Sequence, residues 1–379
     1  MKYEALTEFC DLNMGQSPDS KTYNEQGDGM PFYQGNADFG EIHPETRVWC
    51  SKPVKVASEG DILISVRAPI GAMNIATETC CIGRGLAALT PKPNKCSQKY
   101  LYYALESKID VLVSKGTGST FKAISKKVLA ETMIPSYTDE KQQQITDALS
   151  KIDVLITDRK QQLIEMDLLV KSRFIELFGD PATPGEKFKT SKLGEVADVK
   201  SSHRVFTTEF VDEGVPFYRG TEIGALASGQ QPENPYRISM EHYLKIASDD
   251  SKPKRGDLLL PSICNKGQIW MVDTDEPFYY KDGRVLCISP VRSVFDSRYL
   301  QFYMKIRTEA EYPKLGSGST FAEFKIFQLK ELEVDIPPIN AQKEFNLFAD
   351  QVDKSKLAVQ QGLQELETLK KSLMQQYFG

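Results

Sequence analysis

Two stretches of the chain carry a stripe of mostly apolar residues at alternating spacings of four and three, the pattern of a helix that buries one narrow face against another helix. The first stripe begins at Ile145, and the second begins 200 residues later at Phe345. The apolar positions of the two stripes are Ile145, Leu149, Ile152, Ile156, Leu163, Met166, Val170, Leu177, Phe345, Val352, Val359, Leu363, Leu366 and Leu373. The pattern predicts two long helices, with Asp139 and Asn340 as their N-caps.

Two such helices in one chain are expected to pair with each other as an antiparallel coiled coil. Arg159 and Arg173 interrupt the first stripe, whereas Lys356 and Lys370 interrupt the second at positions that are not equivalent. A stripe of 33 residues is about 50 Å long at ~1.5 Å per residue, which is enough for a spacer between two domains. The alternative is that each helix packs only on the region that precedes it.

Outside these stretches, short apolar runs bounded by glycine, proline and aspartate indicate buried β-strands. The run Ile62-Leu63-Ile64 has a counterpart in Leu258-Leu259-Leu260. Other segments also occur twice in the same order, namely Pro31-Phe32-Tyr33-Gln34-Gly35 with Pro216-Phe217-Tyr218-Arg219-Gly220, Gly83-Arg84 with Gly283-Arg284, and Gly118-Ser119-Thr120-Phe121 with Gly318-Ser319-Thr320-Phe321. A repeat of about 200 residues is too long for a solenoid unit, so each copy is expected to have its own core.

The predicted fold class is therefore α+β. It consists of two β-rich α/β domains in tandem, separated by two long helices that pair as an antiparallel coiled coil, with an internal pseudo-twofold repeat. The predicted boundaries are residues 1–137 for the first domain, 138–180 for the first long helix, 181–338 for the second domain and 339–379 for the second long helix. A molecule built in this way is suited to bind a partner that is itself pseudo-symmetric.

The composition of the 379 residues, 40% hydrophobic and 26% charged, is that of an ordinary globular protein. No apolar run reaches the roughly 20 residues that span a bilayer, and the chain start has no hydrophobic signal segment, so we expect a cytoplasmic protein without a membrane partner. Seven cysteines without CxxC spacing and three histidines predict neither a disulfide framework nor a metal site.

Charge is distributed unevenly along the chain. The net charge of −5 argues against a nucleic-acid partner, yet residues 47–127 contain 13 Lys and Arg against 5 Asp and Glu. Residues 235–327 are more balanced, with 14 basic and 12 acidic residues. The first domain is therefore expected to attract a polyanion more strongly than the second.

The sequence carries no recognisable catalytic motif. Asn234-Pro235-Tyr236 lacks the second proline and the upstream glycine-rich loop of an amino-methyltransferase, and is interpreted as a turn. Residues 115–120 lack the Gly-Lys-Ser/Thr that opens a helix in a phosphate-binding loop. The three histidines occupy unrelated repeat positions, which argues against a duplicated acid-base site. We therefore predict no active site and no cofactor in this chain.

Two glycine-rich loops with basic neighbours are the candidates for contact with a DNA backbone, because hydroxyls, amides and lysines suit phosphate oxygens. The residues concerned are Lys115, Thr117, Ser119, Thr120 and Lys122 in the first copy, and Lys314, Ser317, Ser319, Thr320 and Lys325 in the second. The alternative for either loop alone is a solvated turn.

The repeat also sorts candidates by role, since a position that is the same in both copies cannot distinguish two different half-sites. Arg84 and Arg284 match, which favours a phosphate contact or a place at the edge of the core. The positions that differ are candidates for base recognition, and they are Gln34 with Arg219, Asn36 with Thr221, and the segment Arg67-Ala68-Pro69-Ile70 with Ile263-Cys264-Asn265-Lys266. Each of these is equally compatible with an ordinary surface side chain.

The order of these parts, present twice, resembles the specificity subunit of type I restriction-modification systems. The resemblance extends over the whole chain and rests on the Pro-Phe-Tyr-x-Gly turn, the Gly-Asp-Ile-Leu-Ile strand with Ser65 to Gly71, the Gly-Ser-Thr-Phe loop, and Ile-Pro before a glutamine-rich helix start. The second helix start, Gln342-Lys343-Glu344, lacks the usual acidic residue before the glutamine.

This resemblance implies a non-catalytic subunit with two target recognition domains, each reading one half of a split sequence in double-stranded DNA. It further implies two methylation subunits that hold S-adenosylmethionine, and two restriction subunits that use ATP and Mg. Two other functions remain open at this stage. One is a stand-alone DNA methyltransferase or nuclease with an unrecognised site, and the other is a coiled-coil adaptor that binds only proteins.

Overall fold

The computed structural model describes residues 2–118, 122–249, 251–315 and 322–379. The chain divides into two units, of which unit 1 comprises Met1–Gln161 with Gln360–Gly379, and unit 2 comprises Gln162–Val359. Each unit contains the beginning of one long helix and the end of the other, and each is described in turn.

Unit 1 contains eleven strands and five helices among its described residues. The strands are β1 Lys2–Ala5, β2 Cys10–Met14, β3 Tyr23–Asn24, β4 Met30–Tyr33, β5 Trp49–Cys50, β6 Val56–Ala57, β7 Ile62–Ser65, β8 Met73–Ile75, β9 Cys80–Ile82, β10 Leu86–Pro91 and β11 Met133–Ser136. The helices are α1 Leu6–Phe9, α2 Gln98–Glu106, α3 Ile109–Ser114, α4 Lys126–Ala130 and α5 Asp139–Phe178, the last continuing into unit 2.

The central sheet of unit 1 has the strand order β2-β10-β7-β8 and is antiparallel. Ile62 and Ile64 of β7 face a core that includes α2 and the start of α5, whereas Leu63 faces the second sheet, β3-β5-β4-β9-β6. Because both faces of β7 are covered, its sequence is a continuous apolar run and does not alternate. Strand β4 pairs with β9 in parallel, which places the ends of these two strands side by side.

Unit 2 repeats this plan. Its strands are β12 Thr190–Lys192, β13 Ala197–Lys200, β14 Phe210–Val211, β15 Val215–Tyr218, β16 Tyr236–Ile238, β17 Leu258–Pro261, β18 Trp270–Met271, β19 Tyr279–Tyr280, β20 Val285–Pro290 and β21 Glu333–Asp335. Its helices are α6 Leu193–Val196, α7 Gly220–Ala227, α8 Met240–Ile246, α9 Ser297–Glu311, α10 Ile326–Glu331 and α11 Ile339–Phe378, the last continuing into unit 1.

The central sheet of unit 2 has the order β13-β20-β17-β18, and a second sheet has the order β14-β16-β15-β19 with β15 and β19 parallel. As in unit 1, Leu258 and Leu260 face the core under α9, whereas Leu259 faces the second sheet. The two units share the topology of the central sheet and the parallel strand pair of the second sheet, and each has its own core. They confirm the predicted α+β fold with a tandem repeat.

The two long helices contact each other within each unit. In unit 1, Ile145 and Leu149 of α5 share a core with Phe378 near the end of α11. In unit 2, the ring of Phe174 near the end of α5 lies 5.1 Å from the ring of Phe345 near the start of α11. Start therefore meets end in both units, so the pairing is antiparallel, as predicted.

The predicted stripe is buried along both helices. All fourteen apolar stripe positions are buried or half-buried. Several apolar residues outside the stripe are exposed, among them Val154, Leu155, Ile164, Leu168, Leu169 and Leu357, whereas Phe174 and Phe178 are buried. A spacing pattern of four and three thus identified inward positions correctly, because it follows directly from helical geometry.

The predicted N-caps are wrong. Helix α5 already includes Asp139, and the Thr138 hydroxyl accepts a hydrogen bond from the Lys141 amide at 3.4 Å. Helix α11 begins at Ile339, so Asn340 lies inside its first turn. Thr138, one residue before Asp139, is equally suited to cap the first helix, and the sequence alone does not favour either residue.

Two buried glutamines anchor the starts of the long helices. The Gln142 amide nitrogen donates to the carbonyls of Lys95 at 2.9 Å and Tyr137 at 3.1 Å. The Gln342 amide nitrogen donates in the same way to Val294 at 2.9 Å and Pro337 at 2.8 Å. The glutamine-rich helix starts noted in the sequence therefore fix each long helix to the domain that precedes it.

The two lysines that interrupt the second stripe are paired with carboxylates. In unit 2, Lys356 pairs with Asp167 of α5. In unit 1, Lys370 lies 2.9 Å from Glu106 of α2 and 2.9 Å from Asp153 of α5. Each of these two lysines thus joins the two long helices, and Lys370 also joins them to the domain.

We expect Lys370→Ala to destabilise unit 1 by about 1–3 kcal/mol, because Glu106 and Asp153 would be left close together and half-buried without a cation. Urea unfolding of the full chain measures the loss. Lys371→Ala removes the same charge from an exposed neighbour and is expected to change the free energy of unfolding by less than about 0.5 kcal/mol. Equal effects of the two variants would contradict this role of Lys370.

Candidate nucleic-acid interface

Backbone hydrogen bonds bring the predicted contact segments of unit 1 together at the ends of β4, β7 and β9. The Gly83 amide donates to the Tyr33 carbonyl at 2.8 Å, and the Val66 amide donates to the Gly85 carbonyl at 2.9 Å. A side chain on Gly85 would place its Cβ 2.2 Å from the Gln34 carbonyl oxygen. Only glycine permits this close approach, which holds the turn after β4 against the turn before β10.

The glycine-rich loop joins the same group of segments. The Ile124 amide donates to the Val66 carbonyl at 2.9 Å, and the Ala68 amide donates to the Lys122 carbonyl at 3.0 Å. Thr117 and Ala123 exchange two backbone hydrogen bonds at 3.0 and 2.9 Å. Four segments that are far apart in the sequence therefore form one surface.

The side chains of this surface point into solvent. Gln34, Arg67, Arg84, Lys115, Thr117 and Lys122 are exposed, and Asn36 is half-buried in a short 3-10 turn, Asn36–Asp38. The backbone amide of Gln34 donates to the Asp38 carboxylate at 2.7 Å. The Gln34 side chain therefore projects from a backbone that this hydrogen bond fixes. Within the part of the chain that the structure describes, the four cations of this set form no ion pair. They are Arg67, Arg84, Lys115 and Lys122.

Unit 2 forms the corresponding surface with the same hydrogen bonds. The Ser262 amide donates to the Arg284 carbonyl at 2.9 Å, and the Phe324 amide donates to the Ser262 carbonyl at 2.8 Å. A cavity of about 620 Å³ lies beside these segments, and its lining includes Arg219, Thr221, Ser262, Ile263, Lys281 and Arg284.

The register of the strands does not place Arg84 and Arg284 at equivalent positions. Leu86 pairs with Ser65 in unit 1, and Val285 pairs with Pro261 in unit 2, so Arg284 stands where unit 1 has Gly85. The connection from β19 to β20 is one residue longer than that from β9 to β10, which shifts the arginine by one position. The two arginines are therefore not at equivalent positions, and the predicted match of Arg84 with Arg284 is wrong.

Two neighbouring side chains contact the guanidinium of Arg219. Its Nε and Nη2 donate to the Glu222 carboxylate at 3.2 and 2.9 Å, and its guanidinium lies 4.6 Å from the centre of the Tyr236 ring. The Tyr236 ring stacks in turn on Phe210 at 4.6 Å. Burial would raise the pKa of Glu222, but the hydrogen bonds from Arg219 lower it below its ordinary value. Two of the five N–H donors of Arg219 are thus engaged by Glu222, which leaves two on Nη1 and one on Nη2.

Glu323 pairs with two predicted contact residues of unit 2. Its carboxylate lies 3.0 Å from Arg284 and 3.4 Å from Lys325, and it accepts a hydrogen bond from the Ser262 hydroxyl at 3.1 Å. Burial would raise the pKa of Glu323, but the Ser262 hydroxyl and these two cations lower it. Lys314 is similarly paired with Glu311 at 2.9 Å. These acidic partners were missed, although Glu222 stands only three residues from Arg219.

Asn265 and Lys266 lie in the loop between β17 and β18. The Asn265 side-chain oxygen accepts from Gln268 at 3.4 Å, and the Lys266 amide donates to the Gln268 side chain at 3.1 Å. Lys266 lines another cavity, of about 590 Å³, together with Phe302 and Lys305 of α9. Lys266 is not among the residues that line the 620 Å³ cavity.

Five predicted contact residues, Ser119, Thr120, Ser317, Ser319 and Thr320, lie outside the described residues. All seven cysteines are buried free thiols. Over the described ranges, no group of three or more His, Cys, Asp or Glu side chains could hold a metal ion. Over the same ranges, no helix is both long enough and apolar enough to cross a membrane.

Comparison with known proteins places the chain in a family. The model of the family described as type I restriction modification DNA specificity domain matches residues 1–166 and again residues 185–368. A protein of Methanocaldococcus jannaschii assigned as the MjaX type I restriction enzyme specificity subunit is 45% identical over 157 residues, or 41% of this chain and 36% of the relative. The MjaIX specificity subunit of the same organism is 22% identical over 395 residues, or 95% of this chain and 88% of the relative.

Solved structures agree at the level of the fold. A chain from a study of complex assembly and conformational transition in a type I restriction-modification system superposes with a TM-score of 0.63 at 17% identity, covering 99% of this chain and 97% of that one. The specificity subunit from M. genitalium gives 0.55 at 15% identity, covering 100% and 96%. The fold and the repeated surface define a tandem recognition protein. The chain belongs to the family of type I restriction-modification specificity subunits.

Proposed function

We propose that this chain is the DNA-recognition subunit of a type I restriction-modification complex, and that units 1 and 2 each read one half of a bipartite target in double-stranded DNA. The observation that carries the proposal is the surface formed twice by the same backbone hydrogen bonds, from Val66 to Gly85 and from Ser262 to Arg284. The scaffold is shared while the side chains differ, as two readers of unlike half-sites require.

The outward faces of the long helices support the second part of the proposal, which is assembly with catalytic subunits. Leu168, Leu169 and Ile164 of α5 are each more than half exposed. Exposed apolar side chains of this kind are typical of a protein-protein interface. Two methylation subunits that hold S-adenosylmethionine and two restriction subunits that use ATP and Mg would dock on the chain, which itself supplies no cofactor and no catalytic group. The complex would act in the cytoplasm.

A salt titration of duplex binding by the full chain tests the proposal. Affinity for DNA is expected to fall linearly with log salt, with a slope of about −0.9 for each phosphate neutralised. A protein-only adaptor, which the net charge of −5 would suit, gives no such slope. Methyl transfer by the isolated chain supplied with S-adenosylmethionine would instead establish an enzyme.

We expect Lys115→Ala combined with Lys122→Ala to weaken binding to all duplexes alike and to reduce the salt slope by about 1 to 2, because both lysines are exposed beside the loop and suit phosphate. Competition between target and non-target duplexes measures this. The control, Lys151→Ala with Lys371→Ala, removes two exposed lysines of the long helices and should leave the slope unchanged.

Arg67→Ala is expected to relax recognition at one base pair of one half-site by about 1–3 kcal/mol. Arg67 is exposed at the end of β7, and its unit 2 counterpart, one residue after Ser262, is Ile263. Duplexes substituted one position at a time reveal the affected base pair. Unchanged discrimination at every position would remove Arg67 from the readers.

A further inference from the structure

The two recognition surfaces differ in how their cations are held. In unit 2 four of the five predicted contact cations have a carboxylate partner within 3.4 Å. These four cations are Arg219, Arg284, Lys314 and Lys325, and the fifth is Lys266. The four predicted contact cations of unit 1 form no ion pair over the described ranges. The predicted contact cations are therefore unpaired in unit 1 and mostly paired with carboxylates in unit 2.

Glu323 is the centre of this difference, because it pairs with two of the predicted contact cations. Its carboxylate contacts Arg284 and Lys325, and the Ser262 hydroxyl fixes the carboxylate in place. Arg284 is itself 60% exposed, so a ligand can reach it without unfolding the loop. A carboxylate that bridges two cations occupies the position that a phosphate oxygen would take.

The counterpart of Glu323 in unit 1 is Ala123. Ala123 immediately precedes Ile124, whose backbone amide donates to the Val66 carbonyl just after β7. Glu323 immediately precedes Phe324, whose backbone amide donates to the Ser262 carbonyl just after β17. The backbone of this segment is thus alike in the two units, and only unit 2 adds a negative charge to it. Glu323 is therefore not needed for this backbone hydrogen bond.

We propose that Glu323 is an internal phosphate mimic, which withholds one backbone phosphate contact from the DNA complex of unit 2. With Arg284 and Lys325 it forms a cluster of net charge about +1, whereas the predicted contact cations of unit 1 have no carboxylate partner over the described ranges. Unit 2 then gains less affinity from sequence-independent attraction and depends more on contacts to base edges. The proposal rests on the DNA-recognition function proposed above.

The test is duplex binding by the full chain carrying Glu323→Gln, which keeps the size of the side chain and the acceptor for Ser262. We expect affinity for target and non-target duplexes to rise by the same factor, about two- to fivefold, because an exposed ion pair is weak and a phosphate replaces it. The salt slope should become steeper by about 0.9, the value of one further phosphate. Discrimination between the duplexes should not change.

Asp275→Asn is the matched control, because Asp275 is also paired with an exposed arginine, Arg255 at 3.1 Å, and neither residue lines the 620 Å³ cavity. It should leave the slope unchanged. Ala123→Glu is the reciprocal variant in unit 1, and it should weaken all binding and flatten the slope by about 0.9.

Equal effects of Glu323→Gln and Asp275→Asn would overturn the proposal, since they would reflect net charge alone. Loss of discrimination at one base pair in Glu323→Gln would also overturn it, because Glu323 would then be reading a base. Salt-dependent binding that Glu323→Gln leaves unchanged would overturn this proposal only. Absence of salt-dependent binding by the unaltered chain would overturn both this proposal and the proposed function.

Discussion

Exchange of residues 1–137 for the corresponding segment of another family member is expected to replace one half of the methylated DNA sequence and to leave the other half intact. The physical reason is that the segments carrying Gln34, Arg67, Arg84 and Lys122 are joined to one another by backbone hydrogen bonds that lie within unit 1. Sequencing of modified bases in cells that express the hybrid subunit with its methylation partner measures the outcome.

The exchange must preserve the contacts that fix the domain to the end of α11. The Tyr3 hydroxyl donates to the Gly379 carbonyl at 2.5 Å, the Tyr137 hydroxyl donates to the Tyr377 carbonyl at 2.9 Å, and Glu106 pairs with Lys370. A hybrid that keeps these three side chains separates loss of folding from loss of recognition. The reciprocal exchange of 181–338 should alter only the other half. A change in both halves, or in neither, would contradict independent reading.

Phe174→Ala is expected to have the largest effect on stability, a loss of about 3–5 kcal/mol, because it would leave a large cavity in a fully buried cluster. The Phe174 ring stacks on Tyr299 of α9 at 5.3 Å and contacts Phe178 at 5.0 Å and Phe345 at 5.1 Å. It thereby joins α5 to both α9 and α11 inside unit 2. Urea unfolding of the full chain, followed by tyrosine fluorescence, measures the loss.

Leu168→Ala is the matched control, since Leu168 lies on the same helix with 56% of its surface exposed. It should change the free energy of unfolding by less than about 0.5 kcal/mol. A comparable loss in both variants would contradict a specific role of the Phe174 cluster in the stability of unit 2.

The long helices and buried strands could be predicted because periodicity and composition are local. The spacing of Ile145, Leu149 and Ile152 requires no knowledge of the partner helix, and the run at Ile62 is apolar whatever covers it. Phe174 escaped the stripe because it packs on α9 as well as on α11, and a two-helix pattern contains no position for such a contact.

The sequence predicted the segments of the candidate site, but it did not predict their ion pairs or which positions of the two units are equivalent. Arg84 and Arg284 match as letters, yet one additional residue before β20 moves Arg284 to the position of Gly85. Register depends on the length of a connection, and a single residue reverses which face of a strand a side chain occupies. The predicted equivalence failed for that reason.

By itself, the sequence determined a duplicated chain, two helices with buried stripes, two β-rich domains and resemblance to one family. These properties follow from spacing, order and residue type, which are all present before the chain folds. Only the tertiary structure decided which cations are free and which are held. Glu323 meets Arg284 across 39 residues and Ser262 across 61, and such contacts exist only after the strands have brought distant segments together.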